Sequence, residues 1–295
     1  MLPGLEGAIF NNTFNNTLSV RASCREASGQ TMLKIENHTG KGVMMESRGG
    51  STQGLKNLIK RIPVVGPTAA ELSRLPVFAR ARNLGFPGSG PFWESVYREG
   101  GTSGPGSYGR LARFKADILN NFVREKDVES VIEFGCGDGA QLRLASYPAY
   151  VGVDVSRTSI ERCSRLFTQD VTKRFYLVDN LPPSAGPFDL ALSLDVIYHL
   201  VEDSVFDRYM SWLFRFSRRH VVIYSSNYDS ATTAAHVRHR QFTTWIESNA
   251  GDWRSDGFVP NRFPFDPEKP EQTSHADFFF FVRQGNCPGQ TPRER

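Results

Sequence analysis

This 295-residue sequence predicts an α/β chain: a doubly wound, mostly parallel sheet covered by helices on both faces. Three observations carry that expectation. Short apolar runs of strand length recur from residue 131 onward, amphipathic segments of helical period alternate with them, and a glycine-rich loop follows the first run directly, in VIEFGCGDGA.

Taken in order, residues 1–54 are polar, rich in Gly, Ser and Asn and without sustained periodicity, which predicts a weakly ordered N-terminal extension. From Leu55 the spacing Leu55, Leu58, Ile59, Ile62 is helical, with Lys56, Lys60 and Arg61 elsewhere on the turn and Pro63 limiting it. Residues 55–92 therefore read as a basic amphipathic helix and linker. Such a helix docks on its own domain or lies on an anionic membrane surface. A Gly/Pro-rich link, NLGFPGSGP, precedes the folded domain expected over 93–283. There Leu111, Phe114, Ile118, Leu119 and Phe122 mark a helix that leads into a strand at Val131–Phe134. Further strands are expected at Tyr150–Val153, Arg174–Val178, Leu190–Leu194 and His220–Tyr224, and a last one at ADFFFFVR. Ser156 caps a helix burying Ile160, Cys163 and Phe167, and a helix after Asp203 carries Phe206, Tyr209, Met210 and Leu213 on one face. Residues 284–295 read as a flexible tail.

The bulk composition excludes several classes. The net charge is +4, but residues 55–82 hold six basic residues against the single acid Glu71, so the rest of the chain is near −1 and offers no electrostatic track for nucleic acid. The four cysteines, Cys24, Cys136, Cys163 and Cys287, are scattered, which suits a reducing cytoplasm rather than a disulfide framework. No His/Cys set has zinc-ligand spacing, so no metal is expected. No G-x-S-x-G elbow is present, and no leader or membrane span is read. The expected location is cytoplasmic, peripheral to the inner face of the membrane if residues 55–82 bind lipid.

The glycine loop leaves two ligands open at first. Gly135, Gly137 and Ala140 satisfy the G-x-G-x-x-A pattern of a dinucleotide site, and Asp154, at the end of the second strand, stands where a carboxylate accepts from ribose hydroxyls. Glu133 shifts the balance, because two residues before Gly135 it favours an ammonium and repels a pyrophosphate. Asp179 ends the third strand, with Asn180 beside it. The series EFGCGDG, VGVDVS, VDN and FDLALSLDVIYHL resembles the motifs of class I S-adenosylmethionine-dependent methyltransferases, over roughly residues 93–283.

That resemblance implies a Rossmann-like, seven-stranded sheet with an antiparallel last strand, and S-adenosylmethionine as cofactor. It implies that Glu133, Gly135, Cys136 and Gly137 surround the methionine part. Asp154 and Val155 then lie at the ribose, Asp179 and Asn180 at the adenine, and Asp195 beyond the fourth strand. The segment FWESVYREGGTSGPGSYGRLARFK is similar to a leading region that closes the cofactor pocket, with Tyr108 packing over the cofactor and Lys115 facing it. The stretch between Gly139 and Tyr150 departs from the family in leaving room for only a brief helix.

Methyl transfer needs alignment more than acid–base work, and a base only for a hydroxyl or protonated amine. His199, after the fourth strand, is the first candidate base. His236 and His239 follow, sharing a face if their segment is helical. Arg238, Arg240 and Tyr198 are candidate substrate contacts. The expected activity is methyl transfer to oxygen or nitrogen of a small-molecule, sugar or lipid-linked acceptor. The alternatives are an NAD(P)-dependent oxidoreductase and a non-catalytic S-adenosylmethionine-binding protein acting through a membrane or protein partner.

Overall fold

The computed structural model describes residues 86–232 and 234–285 and, as backbone strands, residues 10–14, 18–27, 30–36 and 42–48. The chain divides into two compact units, Met1–Phe86 and Pro87–Arg295.

The first unit holds four strands, β1 (Phe10–Phe14), β2 (Leu18–Ala27), β3 (Gln30–Glu36) and β4 (Gly42–Arg48), paired antiparallel in that order. The weakly ordered extension expected there is therefore corrected to a meander. Its signal is a period of two: in β2, Leu18, Val20, Ala22 and Cys24 alternate with Ser19, Arg21, Ser23 and Arg25. Of the basic helix and linker expected over 55–92, residues 55–85 lie outside the described residues, as do residues 286–295 of the tail expected over 284–295.

The second unit begins at Pro87 rather than at residue 93, because α1 (Ser89–Arg98) already includes part of the expected link. It continues through α2 (Gly109–Glu125), β5 (Ser130–Phe134), β6 (Ala149–Asp154), α3 (Arg157–Leu166), β7 (Lys173–Leu177) and β8 (Phe188–Leu194). Then come α4 (Asp203–Arg215), β9 (Ser217–Ser225), the short ribbon β10 (Ser230–Ala231) and β11 (Arg238–His239), α5 (Phe242–Asn249), β12 (Trp253–Val259) and β13 (Asp277–Arg283).

Seven of these strands form one sheet in the order β12-β13-β9-β8-β5-β6-β7. β5 to β9 pair parallel, and β13 is antiparallel to both its neighbours. This is the doubly wound, Rossmann-like α/β sheet that the alternation of elements implies. Strand alternation splits the core in two. Val131, Leu190, Leu192 and Val222 pack with Phe114, Leu119 and Phe122 of α2, while Ile132, Phe134, Ala191 and Val221 pack with Met210 and Leu213 of α4 and Phe242 of α5. Ser156 caps α3 by accepting from the Ser159 amide, and Cys163 is buried under that helix with Ile160 and Phe167 half-buried beside it.

Within the seven-stranded sheet, the strand absent from the sequence expectation is β12. It lies at the sheet edge with its middle largely exposed, so WRSDGFV carries no run of apolar residues to mark it.

Candidate functional site

In this sheet the strand order reverses between β5 and β8, and a cavity opens at their C-terminal ends, where such folds place ligands. It encloses about 920 Å³ of unfilled space, mouth included, lined by the ends of β5, β6 and β8, the glycine loop, α1 and α2.

The loop leaves β5 and turns back over β6, with the Gly135 and Cys136 amides donating to Val153 O at 2.7 and 3.1 Å. Gly135 (φ +81°) and Gly137 (φ +56°) both lie in the left-handed region, and a Cβ on either would collide, with Val196 and with Ser103 respectively. After Gly139 the chain makes only a single 3-10 turn, Leu142–Leu144. Cys136 lines the cavity; the Cys163 thiol beside it and burial push its own thiol up, so it stays protonated.

Two carboxylates flank this loop. Asp154, 6% exposed, accepts from Gly137 N through Oδ2 and from Ser156 N through Oδ1, both at 2.9 Å. Burial nevertheless pushes its pKa up to about 6 against those bonds. Glu133, 3% exposed, accepts from Tyr150 OH at 2.7 Å. Burial pushes it up to about 7, with the Tyr150 bond and the nearby Lys115 charge working the other way. Val155 lines the same cavity and is partly exposed. Asp179 and Asn180 are exposed in the 3-10 turn after β7, next to Val178, which does line the cavity.

The upstream segment is bound to the loop by Asp138, which stands within the glycine motif. Its Oδ2 accepts from Ser103 N (2.9 Å) and Tyr108 OH (2.7 Å), its Oδ1 from Ala140 N (3.1 Å), and its own amide donates to Ser103 Oγ (2.9 Å). Burial opposes its charge, but the bonds from Tyr108, Ser103 and Ala140 outweigh that and hold its pKa low. Tyr108 is thereby corrected. It is 44% exposed, does not line the cavity and points its hydroxyl at Asp138, while Trp93 and Tyr97 of α1 line the cavity instead.

Beyond β8 lies a different chemistry. Asp195 holds φ +61°, a conformation rare outside glycine and a marker of local constraint. Its Oδ2 accepts from the buried Lys115 Nζ at 2.6 Å and its Oδ1 from Tyr198 OH at 2.8 Å. His199 lines the cavity, and its Nδ1 lies 3.1 Å from His236 O. A carbonyl can only accept, so Nδ1 carries the proton. Burial brings this imidazole down to about 4, leaving a neutral ring with Nε2 free to accept.

The other expected catalytic and substrate residues are placed elsewhere. The segment holding His236 and His239 is not a helix: His239 is in β11, and α5 begins only at Phe242. His236 stacks on Phe92 (4.5 Å between centroids) and His199 (5.6 Å). His239 is buried with Nδ1 2.6 Å from Ser226 Oγ and stacks on Tyr228. Neither lines the cavity. Arg238 and Arg240 both pair with Asp203 Oδ1, at 3.0 and 2.6 Å, and donate to the carbonyl of Val201, with Arg240 also reaching Leu200 O. Their guanidinium groups brace the entry to α4 instead of facing a substrate anion. Among the described residues no His/Cys/Asp/Glu group is arranged to hold a metal ion, and no helix is long and apolar enough to cross a membrane.

Residues 108–261 match the model of one protein family, described as a methyltransferase domain. None of the curated proteins compared matches the chain. Among solved structures it is similar to the N-methyltransferase NodS from Bradyrhizobium japonicum WM9 in complex with S-adenosyl-L-homocysteine, at 17% identity over 60% of this chain and 87% of that one (TM-score 0.46). It is similar to the methyltransferase domain of bacterial CtHen1-C, at 19% identity over 59% and 98% (TM-score 0.47). A third is the magnesium protoporphyrin IX methyltransferase of Synechocystis PCC 6803 with bound S-adenosylhomocysteine, at 15% identity over 58% and 83% (TM-score 0.44).

Proposed function

This chain belongs to the methyltransferase-domain family, and from that premise we propose that it moves a methyl group from S-adenosylmethionine to an oxygen or nitrogen of a small-molecule, sugar or lipid-linked acceptor. The observation that carries the cofactor is the pair of buried carboxylates, Glu133 and Asp154, on either side of one glycine loop in one cavity. Burial raises both, so the cavity gains by receiving a cation and hydroxyl donors. S-adenosylmethionine carries an ammonium, a sulfonium and a ribose diol. A dinucleotide would bring its pyrophosphate against two carboxylates, which argues against the oxidoreductase alternative.

When bound, S-adenosylmethionine supplies a methyl group already activated by its sulfonium. The work left to the protein is alignment and exclusion of water. Asp154 keeps lone pairs for ribose hydroxyls while its bonds to Gly137 N and Ser156 N fix its position. Trp93 and Tyr97 wall the cavity from the α1 side. His199 offers Nε2 to the proton of an acceptor hydroxyl or ammonium, with His236 O holding the tautomer. Its low basicity suits an acceptor whose proton leaves readily, and this accepting group on the cavity wall favours an enzyme over a non-catalytic binder. A lipid-linked acceptor would bring the basic segment 55–82 to the inner face of a membrane.

Calorimetry with S-adenosylhomocysteine, followed by incubation with labelled methyl donor and cell extract, tests this reading. Micromolar binding and a labelled product are expected. Binding without transfer would favour the non-catalytic alternative, and absence of binding would remove the cofactor assignment.

A further inference from the structure

We propose that Tyr228, Phe265 and His275 form an outer subsite for a saccharide, so that the methyl acceptor is a sugar-bearing molecule reaching from this platform to His199. The proposal rests on reading the cavity as the methyl-transfer site and narrows the acceptor class. The platform itself holds no part of S-adenosylmethionine.

It stands at the same edge of the sheet as the cavity. β9 ends at Ser225, β13 begins at Asp277, and these two residues pair, so Tyr228 and His275 leave adjacent strands together. Ring contacts connect them to the cavity wall. His199 lines the cavity, and centroid steps of 4.6 Å to Tyr198, 5.8 Å to His239 and 4.8 Å to Tyr228 follow. Three ring-to-ring steps call for a ligand of more than one ring.

The platform rings are exposed without being loose. Tyr228 is 40% and Phe265 42% exposed. Tyr228 stacks on the buried His239, whose Nδ1 lies 2.6 Å from Ser226 Oγ, and its own hydroxyl lies 3.0 Å from His275 Nδ1. Phe265 stacks on His275 with 3.7 Å between centroids. The loop that presents Phe265 is pinned: the buried Asn261 donates to Tyr224 OH and Ala276 O and accepts from Phe263 N, while Asp266 N donates to Thr273 Oγ1. Single exposed apolar side chains are ordinary, whereas two rings in one contacting cluster, each fixed by an imidazole, have the form of a recognition patch.

The chemistry of the patch selects its ligand. Burial holds His239 and His275 below the ordinary imidazole value and raises the Tyr228 phenol, so all three are uncharged near neutral pH. Arg238 and Arg240 are engaged with Asp203, so they do not draw an anionic group here. What the patch offers is ring surface bordered by a phenol oxygen and imidazole nitrogens. A pyranose fits both features: its C–H faces pack on aromatic rings, and its hydroxyls donate to and accept from the polar rims. An acyl chain would leave those rims unpaired. A flat aromatic ligand is ordinarily enclosed, and this shelf is open to water.

The test screens the full chain, saturated with S-adenosylhomocysteine, on an array of immobilised glycans and measures the bound ones by calorimetry. Binding of at least one glycan of two or more units is expected, weakened about tenfold or more in both Phe265→Ala and Tyr228→Ala. Both variants should keep their affinity for S-adenosylhomocysteine within about twofold, which also reports that they fold. The bound glycan should take label from methyl-labelled S-adenosylmethionine. Binding to no glycan on the array overturns the proposal, as does glycan binding that neither variant weakens. Tighter, ring-dependent binding of 2-naphthol than of any glycan overturns the saccharide assignment, and a glycan held by both rings yet never methylated overturns its role as acceptor. Ring-dependent glycan binding in a protein that does not bind S-adenosylhomocysteine would remove the methyl-transfer reading while leaving the saccharide subsite in place.

Discussion

The two halves of the sheet's C-terminal edge are built in opposite ways. On the β5–β6 side, a five-residue glycine loop is held by main-chain bonds to Val153 and by Asp154 and Asp138, whose oxygens accept backbone amides. On the β8–β9 side, the edge is made of rings: Phe92, His236, His199, Tyr198 and His239 follow one another at centroid spacings of 4.5, 5.6, 4.6 and 5.8 Å. The first half fixes backbone in place around two carboxylates, as a ligand of constant shape and positive charge requires. The second offers neutral ring surfaces, some stacked and some tilted, and one imidazole acceptor. On the proposed reading, cofactor recognition and acceptor recognition are separated along the edge, by residue type as well as by position.

The largest effect that would sharpen this contrast belongs to Asp154. Asp154→Ala leaves the Gly137 and Ser156 amides without their acceptor and removes the ribose partner, so affinity for S-adenosylhomocysteine should fall by about 100-fold or more, roughly 3 kcal/mol. Calorimetry checks it. Wild-type affinity in this variant would mean that the β6 carboxylate is a loop brace alone.

Glu133 gives an effect of similar size that is read through pH. Its folded pKa of about 7 lies above its ordinary 4.5, so between those values the folded chain keeps a proton that the unfolded chain loses, and stability falls as pH rises through that window. Glu133→Gln removes this loss. Relative to the unmodified protein, the variant should gain nothing at pH 4.5 and about 3 kcal/mol by pH 7, as read by denaturant unfolding. Meanwhile its affinity for S-adenosylhomocysteine should drop. A difference that does not change with pH would show that Glu133 is not held protonated in the folded protein.

These two residues also show why the cofactor half was legible in the sequence. Asp154 ends β6 and Glu133 stands one residue before the end of β5, and the parallel register that sets Glu133 beside Gly152 and Phe134 beside Val153 places them together without help from distant segments. The acceptor half is assembled by contacts between residues far apart: Phe92 meets His236 across the domain, and His199 receives its tautomer from His236. Spacing within HVRHRQFTTWI suggested a shared helical face, and the tertiary contacts instead made His239 part of a strand. The two arginines beside it attract notice as anion anchors, yet their pairing with Asp203 is visible only once α4 is in place. Asp138 stands in the glycine motif itself, but three of its four bonds exist only because residues 103–108 fold onto it.

Arg240 separates brace from binding site on the acceptor side. It is 8% exposed, bonded to two carbonyls and to Asp203, and lies 4.7 Å from the Phe206 ring. Asp203 is 71% exposed, so solvent screens the ion pair and the carbonyl bonds and the buried stem carry most of the value. Arg240→Ala should cost about 2 kcal/mol of stability in denaturant unfolding while leaving affinity for S-adenosylhomocysteine within about twofold. A loss of binding comparable to that of Asp154→Ala would erase the division between the two halves.

The smallest expected effect tests the upstream segment. Tyr108 donates to Asp138 Oδ2, but the same oxygen also accepts from Ser103 N, and Ser103 Oγ accepts from the Asp138 amide. Removing one donor from a reciprocal set leaves the carboxylate satisfied, and Tyr108 is nearly half exposed, so water replaces the lost bond at little cost. Tyr108→Phe should therefore cost about 0.5 kcal/mol or less and change affinity for S-adenosylhomocysteine by no more than about twofold. Were Tyr108 to pack over the cofactor, Phe would keep the stacking and Tyr108→Ala would lose about tenfold. In the arrangement seen here Ala and Phe should differ little in binding, because the ring lies outside the cavity and Ser103 holds the segment on the loop.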